Sequence, residues 1–353
     1  MGSCTTTHRK WVRGETIGRG STSTVSLAYD PSTTFAVKSS ALSLSAILQR
    51  EVRFLSSVSS SHVVSYFGHD VTVENGLSYY NIFIEYAPGG SLADEILRTG
   101  GGLEEWRIRY FTRGILMGLA YLHSVGISHG DIKGKNVLIG SDGQANIADL
   151  GCARWVDDDH LPSVCGGTPV FMAPEVARGE DQHTEADVWG LGCTVLEMAT
   201  GMLPWAEEKD VNPITILHKI GYSDDLPRFP TGLSDEGVDF LGKCLRRNKS
   251  ERFTADELLR HPFISEISLM KINPTWTSPK CILDQDIWNS MEDDEMTRTT
   301  ETSPPDFSSV RIRELCGGNC NISSNDDDDD DDSDDGSWIL VRQNSSISTN
   351  VND

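Results

Sequence analysis

The chain has 353 residues, 38% of them apolar, and a formal net charge of −23. That length allows one large domain or two modest ones, and an acid excess without a basic stripe argues against nucleic acid as a partner and suits basic proteins. No apolar run reaches the ~20 residues of a membrane-spanning helix, and the eight cysteines (Cys4, Cys152, Cys165, Cys193, Cys244, Cys281, Cys316, Cys320) lack the paired spacing of a zinc site, so they read as reduced thiols of a cytoplasmic or nuclear protein.

In chain order, residues 1–10 read as a flexible N-terminus. Within it Met1-Gly2-Ser3-Cys4-Thr5-Thr6 fits the pattern for N-myristoylation at Gly2, with Cys4 open to palmitoylation. Two acyl chains would anchor the protein to a membrane where one binds marginally; an ordinary short terminus fits the same residues. From Trp11 to Val37 apolar and polar residues alternate between turn signals, as in Thr24–Tyr29 and Thr34–Lys38, the pattern of antiparallel strands. Between two such runs lies Gly18-Arg19-Gly20-Ser21-Thr22-Ser23-Thr24-Val25. Glycines at a hairpin tip let backbone amides approach phosphate oxygens with no Cβ in the way, although Gly-x-Gly also serves as plain turn chemistry.

Ala46–Val58 carries Leu48, Val52 and Leu55 at helical spacing, and Tyr80–Tyr86 reads as a further strand ended by the breaker Pro88-Gly89-Gly90. Beyond it Glu104–His123 and Glu185–Thr200 read as long helices, the second stopped by Gly201. The expected architecture is α+β: a small antiparallel-sheet lobe with one helix over about 11–84, a hinge at 85–87, and a larger, mainly helical lobe over about 88–264. From 265 to 353 periodicity fades into Ser, Thr, Asn and Asp, with 20 acidic against 6 basic residues and the run Asp326–Asp332. This tail reads as disordered, since such a stretch repels itself and buries little.

Lys38 closes the strand Phe35–Lys38, and Glu51 lies on the helix that follows. A lysine at a strand end is ordinarily a solvated charge, but paired with a helical glutamate it can be held against phosphates. The densest signal is His129-Gly130-Asp131-Ile132-Lys133-Gly134-Lys135-Asn136-Val137-Leu138, followed by Asp149-Leu150-Gly151. Phosphoryl transfer needs a carboxylate to accept the hydroxyl proton, a cation near the transferring group and oxygen ligands for Mg²⁺. Asp131, Lys133 and the pair Asn136 with Asp149 supply these in turn.

In this set and order, the residues from Trp11 to about Ile264 resemble the eukaryotic protein kinases. The resemblance implies the bilobal kinase fold, ATP and Mg²⁺ as cofactors, and transfer of the γ-phosphoryl group to Ser or Thr, because Lys133 and Gly167-Thr168 follow the serine/threonine pattern. It implies a glycine-rich loop at Gly18–Val25, a Lys38–Glu51 ion pair, and an activation segment closed by Ala173-Pro174-Glu175 with Arg252 paired to Glu175. Asp187–Gly192 would lie on the helix that anchors the catalytic loop, and His261-Pro262-Phe263 would end the domain. Adenine would sit among Ile17, Val25, Ala36 and Leu138, against the backbone of Glu85–Ala87, with Ile84 as gatekeeper. Trp11–Thr22, Ala87–Ala93, Gly166–Glu175 and Asp187–Met198 resemble the plant MEKK-like kinases, in particular a small subgroup responsive to abscisic acid and stress, which implies MAP kinase kinases as substrates.

Three departures are visible, one of them Leu150 as a tolerated variant in Asp149-Leu150-Gly151. Ser23 replaces the third glycine of the loop, and Gly130 stands where the family carries an arginine that binds a phosphorylated residue of the activation segment. Activity is therefore expected to depend weakly on phosphorylation of that segment, where Ser163 is the expected phosphosite and Thr168 reads as structural. The presence of Lys38, Glu51, Asp131, Asn136 and Asp149 together favours an active enzyme over a catalytically weak scaffold of the same fold acting through its surfaces and tail. Within the tail, Trp338-Ile339-Leu340-Val341 after acidic residues reads either as a strand-like segment docking on the domain or as a short motif for a ubiquitin-like protein.

Overall fold

The computed structural model describes residues 10–20, 22–156, 166–206 and 212–265. The chain divides into two units, Met1–Arg298 and Thr299–Asp353, and every described residue belongs to the first. Ser21, Ser163, Gly2, Cys4 and Trp338–Val341 lie outside the described residues.

The small lobe contains β1 (Val12–Arg19), β2 (Thr24–Tyr29), β3 (Thr34–Ala41), α1 (Ala46–Leu55), β4 (Tyr66–Glu74) and β5 (Leu77–Ile84). Its five strands form one antiparallel sheet in the order β1-β2-β3-β5-β4. Side chains alternate across a strand, and β3 shows what that does here. Phe35 and Val37 join Ala28 and Phe83 in a small outer cluster closed by Trp11. Ala36 faces the opposite side, where Ile82, Ile84 and the α1 residues Leu48, Phe54 and Leu55 form the main core. Lys38 shares the face of Ala36, so the pleat itself aims its ammonium toward α1. On α1 the buried positions are Leu48, Glu51, Phe54 and Leu55, which puts one carboxylate into an apolar stripe. The helix stops at Leu55, earlier than expected, because the Ser56 and Ser57 hydroxyls donate to the carbonyls of Arg53 and Phe54 and close its last turn.

The large lobe runs α2 (Leu92–Arg98), α3 (Glu105–Ser124), β6 (Ile127–Ser128), β7 (Val137–Ile139), β8 (Ala145–Ile147), β9 (Arg154–Trp155), α4 (Pro174–Ala177), α5 (Thr184–Thr200), α6 (Pro213–Tyr222), α7 (Asp235–Cys244), α8 (Ala255–Leu259) and α9 (Pro262–Ser265). β6 pairs with β9 and β7 with β8, two short antiparallel ladders that carry the loops between them. α5 is buried without interruption from Asp187 to Met198 and ends at Gly201, whose φ of 70° is the left-handed cap expected of glycine. Where the hinge enters this lobe, Gly89 donates to the Ile139 carbonyl at 3.1 Å, and a Cβ there would lie 2.7 Å from the Ile139 side chain. Glycine is what lets the hinge run against β7. Ser91 then caps α2 in a reciprocal pair with Asp94.

Candidate active site

The first half of the site is a cation between two carboxylates. Lys38 Nζ lies 2.8 Å from Glu51 Oε2 and 3.0 Å from Asp149 Oδ1, with the Glu51 side chain only 2% exposed. Burial alone would lower the Lys38 pKa, but the charge of Glu51 and then of Asp149 outweighs it and raises it well above the ordinary lysine range. Burial works the other way on Glu51, whose carboxyl is pushed up to about 7 against the pull of Lys38. The ammonium, facing two carboxylates, stays charged. For Asp149, burial is likewise outweighed by Lys38, which holds the carboxyl below the usual carboxylate range. Asp149 itself has a left-handed backbone, φ 63°, and accepts the Gly151 N–H at 3.3 Å.

The second half hangs from α5. The two oxygens of buried Asp187 accept the backbone N–H groups of His129 and Gly130 at 2.8 Å each, and His123 contacts the same carboxylate at 2.9 Å. Burial would raise the Asp187 carboxyl, yet His123, His129 and the Gly130 amide hold it low. An ionised group on a rigid core helix therefore fixes the start of the catalytic loop. His129 accepts the Asp131 N–H on Nδ1 at 3.2 Å and so offers Nε2–H to the Ala148 carbonyl at 3.0 Å, linking the loop to the residue before Asp149.

Around Asp131 the partners divide by oxygen. Oδ2 takes Lys133 Nζ at 2.8 Å and the Asn136 amide at 2.9 Å, while Oδ1 takes both the N–H and the hydroxyl of Thr168 at 2.9 Å. Lys133 also donates to the Thr168 hydroxyl. Thr168 thus orients the carboxylate directly, a larger part than the structural one expected. Because Asn136 commits its NH₂ to Asp131, its amide oxygen is the atom left to face a cation. Among the described residues no group of three or more His, Cys, Asp or Glu could hold a metal, but Mg²⁺ keeps several waters and takes one or two protein oxygens plus phosphate, which Asn136 and Asp149 fit. We expect Lys133→Ala to lower kcat by about 10²-fold or more, since it removes a preorganised charge beside the base; steady-state kinetics with the KM for ATP near wild type would check this.

The nucleotide side of the cleft is partly assembled. Ala36 and Ile84 are cross-strand partners, and both belong to the core against which Val25 and Leu138 pack. Ile17 stands apart, 41% exposed on β1 and outside that cluster. A Cβ at Gly18 or Gly20 would meet no protein atom closer than 3.7 Å, so neither glycine is required by the chain's own packing. In the hinge, the Glu85 N–H donates to the Ser65 carbonyl at 2.9 Å, and among the described residues no hydrogen bond engages the Glu85 carbonyl or the Ala87 N–H. Thr22, Ser23, Thr24 and Arg19 form the hairpin end, closed by Gly20 N–H on the Ser23 carbonyl at 2.8 Å.

Two further features bear on the loop. Glu175 and Arg252 form a two-pronged ion pair at 2.6 and 2.7 Å, as the family resemblance implied. Gly130 has φ 87°, and a Cβ there would fall 2.1 Å from Gln182 Nε2 and 2.7 Å from the Cys152 carbonyl. Gln182 is buried, its amide nitrogen has no partner among the described residues, and it lines a cavity of about 20 Å³ together with Asp131, Thr168 and Asp187. Nothing in the sequence around Gln182 signalled this contact.

Residues 11–264 match the family described as "Protein kinase domain". Mitogen-activated protein kinase kinase kinase 18 of Arabidopsis thaliana is 46% identical over 293 residues, which span 80% of this chain and 86% of that protein. Mitogen-activated protein kinase kinase kinase 17 of the same plant is 45% identical over 81% of this chain and 78% of its own length. Mitogen-activated protein kinase kinase kinase 20, also from Arabidopsis thaliana, is 37% identical over 94% of this chain and 100% of its own.

Proposed function

We propose, from the premise that this chain belongs to the protein kinase family and is a serine/threonine protein kinase, that it acts as a MAP kinase kinase kinase: it phosphorylates Ser or Thr of MAP kinase kinases in stress or hormone signalling. The observation that carries the activity is the joining of Lys38, Glu51 and Asp149 with Asp131, Lys133, Asn136 and Thr168 through Asp187 and His129. The likeness to three proteins named MAP kinase kinase kinases supports the substrate class.

In this reading Gly18–Gly20 and Lys38 would hold the phosphates of ATP, and Asn136 and Asp149 would hold Mg²⁺, which would supply neutralising charge. Asp131 accepts the proton of the substrate hydroxyl and orients its oxygen. The Thr168 hydroxyl on Asp131 Oδ1 illustrates the geometry, since it is an aliphatic alcohol donating to the same carboxylate. Lys133 sets a positive charge beside the base, and Glu51 keeps the Lys38 ammonium in place.

The test is phosphorylation of a panel of kinase-dead MAP kinase kinases by purified protein, with Asp131→Asn as control. Labelling of one or more on Ser or Thr is expected. Labelling of generic protein substrates alone would refute the substrate class, and a protein inert toward every substrate would favour the scaffold reading. Cytoplasmic or nuclear placement, acylation at Gly2 and Cys4, and a ubiquitin-like partner at Trp338–Val341 rest on sequence alone. Fractionation of Gly2→Ala and pull-down with Trp338→Ala/Val341→Ala test the last two.

A further inference from the structure

Asp131 is held by its side chain and by its own N–H, which donates to His129 Nδ1 at 3.2 Å. The two peptide carbonyls that flank it, on Gly130 and Ile132, accept no hydrogen bond among the described residues. Both residues line the cavity of about 20 Å³ beneath the catalytic loop, the one that Gln182 also lines. Two glycines let the surrounding chain come close to these carbonyls. A Cβ at Gly167 would lie 3.0 Å from the Gly130 oxygen, and one at Gly190 would lie 3.0 Å from the Ile132 oxygen. Gln182 brings a donor to the same place. It is 5% exposed, and its Nε2 is fully buried with no partner among the described residues. The residue is firmly placed, since the adjacent His183 carbonyl accepts Ser128 Oγ at 3.2 Å and α5 begins at Thr184. A buried amide N–H is costly to leave unpaired, and native proteins satisfy such groups with ordered water where no protein acceptor is at hand. A polar cavity of this size takes one water. Gln182 offers the donor for its oxygen, and the two carbonyls accept its hydrogens.

We propose that Gln182 is a positioning residue for the catalytic aspartate: its amide N–H and a single water bound in this cavity hold the carbonyls of Gly130 and Ile132, and so fix the backbone on both sides of Asp131. Glycine is the residue whose backbone is freest to rotate, and Gly130 has only its N–H, donated to Asp187 at 2.8 Å, to hold it otherwise. The clamp restrains the other end of that residue. Gln182 lies away from the nucleotide cleft, so its removal affects transfer and leaves ATP binding alone. This inference rests on the kinase assignment and is independent of the substrate class.

The direct test is a high-resolution crystal structure of the unaltered protein. A water within hydrogen-bond distance of Gln182 Nε2 and of both carbonyls is expected; a dry cavity, or an Nε2 bonded to another group, would overturn the proposal. The functional test compares the full chain with Gln182→Met, which keeps the length and nearly the volume without a donor, and with Gln182→His, which keeps an N–H. In Gln182→Met the maximal rate of ATP-dependent autophosphorylation is expected to fall about tenfold, within the ~10²-fold that an ångström of misplacement can cost. The ATP concentration for half-maximal rate should stay as in wild type, and hydrogen exchange over residues 129–136 should quicken. Gln182→His should keep most of the rate and of the protection. A side chain that only fills space predicts otherwise: Gln182→Met would keep the wild-type rate and exchange and melt higher once the idle donor is gone. That result would refute the positioning role, as would equal losses in Gln182→Met and Gln182→His. The crystal structure and the exchange rates read the clamp even in a protein that transfers no phosphate.

Discussion

Protein carrying Asp131→Asn is expected to lose about 10²- to 10⁴-fold in kcat, the range of a general base, while melting close to wild type. The substitution keeps the volume of the side chain, and its amide oxygen can still accept the Thr168 N–H that now reaches Oδ1 at 2.9 Å. It cannot take a proton from a hydroxyl, and its NH₂ would face the Lys133 ammonium and the Asn136 amide, both donors. The KM for ATP should change little, because Asp131 does not line the nucleotide cleft. Lys38→Met should lose activity on a similar scale by another route. It leaves the Glu51 and Asp149 carboxylates without the cation that both contact, so the KM for ATP should rise as kcat falls. Near-normal turnover by Asp131→Asn would remove the base assigned here.

The largest effect on stability is expected at Arg252. Its guanidinium and the Glu175 carboxylate are 0% and 2% exposed and meet at 2.6 and 2.7 Å, while Arg252 also donates to the carbonyls of Arg246 and Glu185. Arg252→Met strands a buried carboxylate and takes a donor from the carbonyls of Arg246, Glu185 and Arg247, which costs about 3–5 kcal/mol. For a domain of this size that corresponds to a fall in Tm of roughly 10 °C. Because the harm comes from the orphaned charge, the double variant Glu175→Gln/Arg252→Met should melt higher than Arg252→Met alone. Scanning calorimetry of the three proteins decides it, and a double variant melting lower than the single would contradict this account.

Much of this arrangement was legible in the residues. The Lys38–Glu51 pair could be anticipated because strand pleat and helix period each fix which face a side chain takes, and here both faces meet the same core. The helix from Thr184 to Thr200 was readable because its apolar residues go all the way round. β4 was harder to see. Its Val71 and Val73 are exposed, and its other face is polar: Asp70, Thr72 and Glu74 bond Trp11, Arg13 and Asn81 across the sheet. An edge strand held by a polar network carries little hydrophobic signal. Thr168 was undervalued for a related reason: it lies thirty-seven residues from Asp131, and only the fold brings its hydroxyl to the base.

The left-handed backbone at Gly130 constrains the routes by which this sequence can change. An arginine introduced there alone would drive its Cβ into the Gln182 amide and the Cys152 carbonyl, in a conformation that side chains rarely adopt. The Gln182 side chain can swing away or be shortened; the Cys152 carbonyl moves only with β9. A path toward the arginine-bearing form therefore has an order, in which position 182 yields and the Cys152 carbonyl shifts with β9 before position 130 is filled, and the reverse order passes through a protein with a strained catalytic loop. The glycine is thus held in place by its neighbour as much as by its own flexibility.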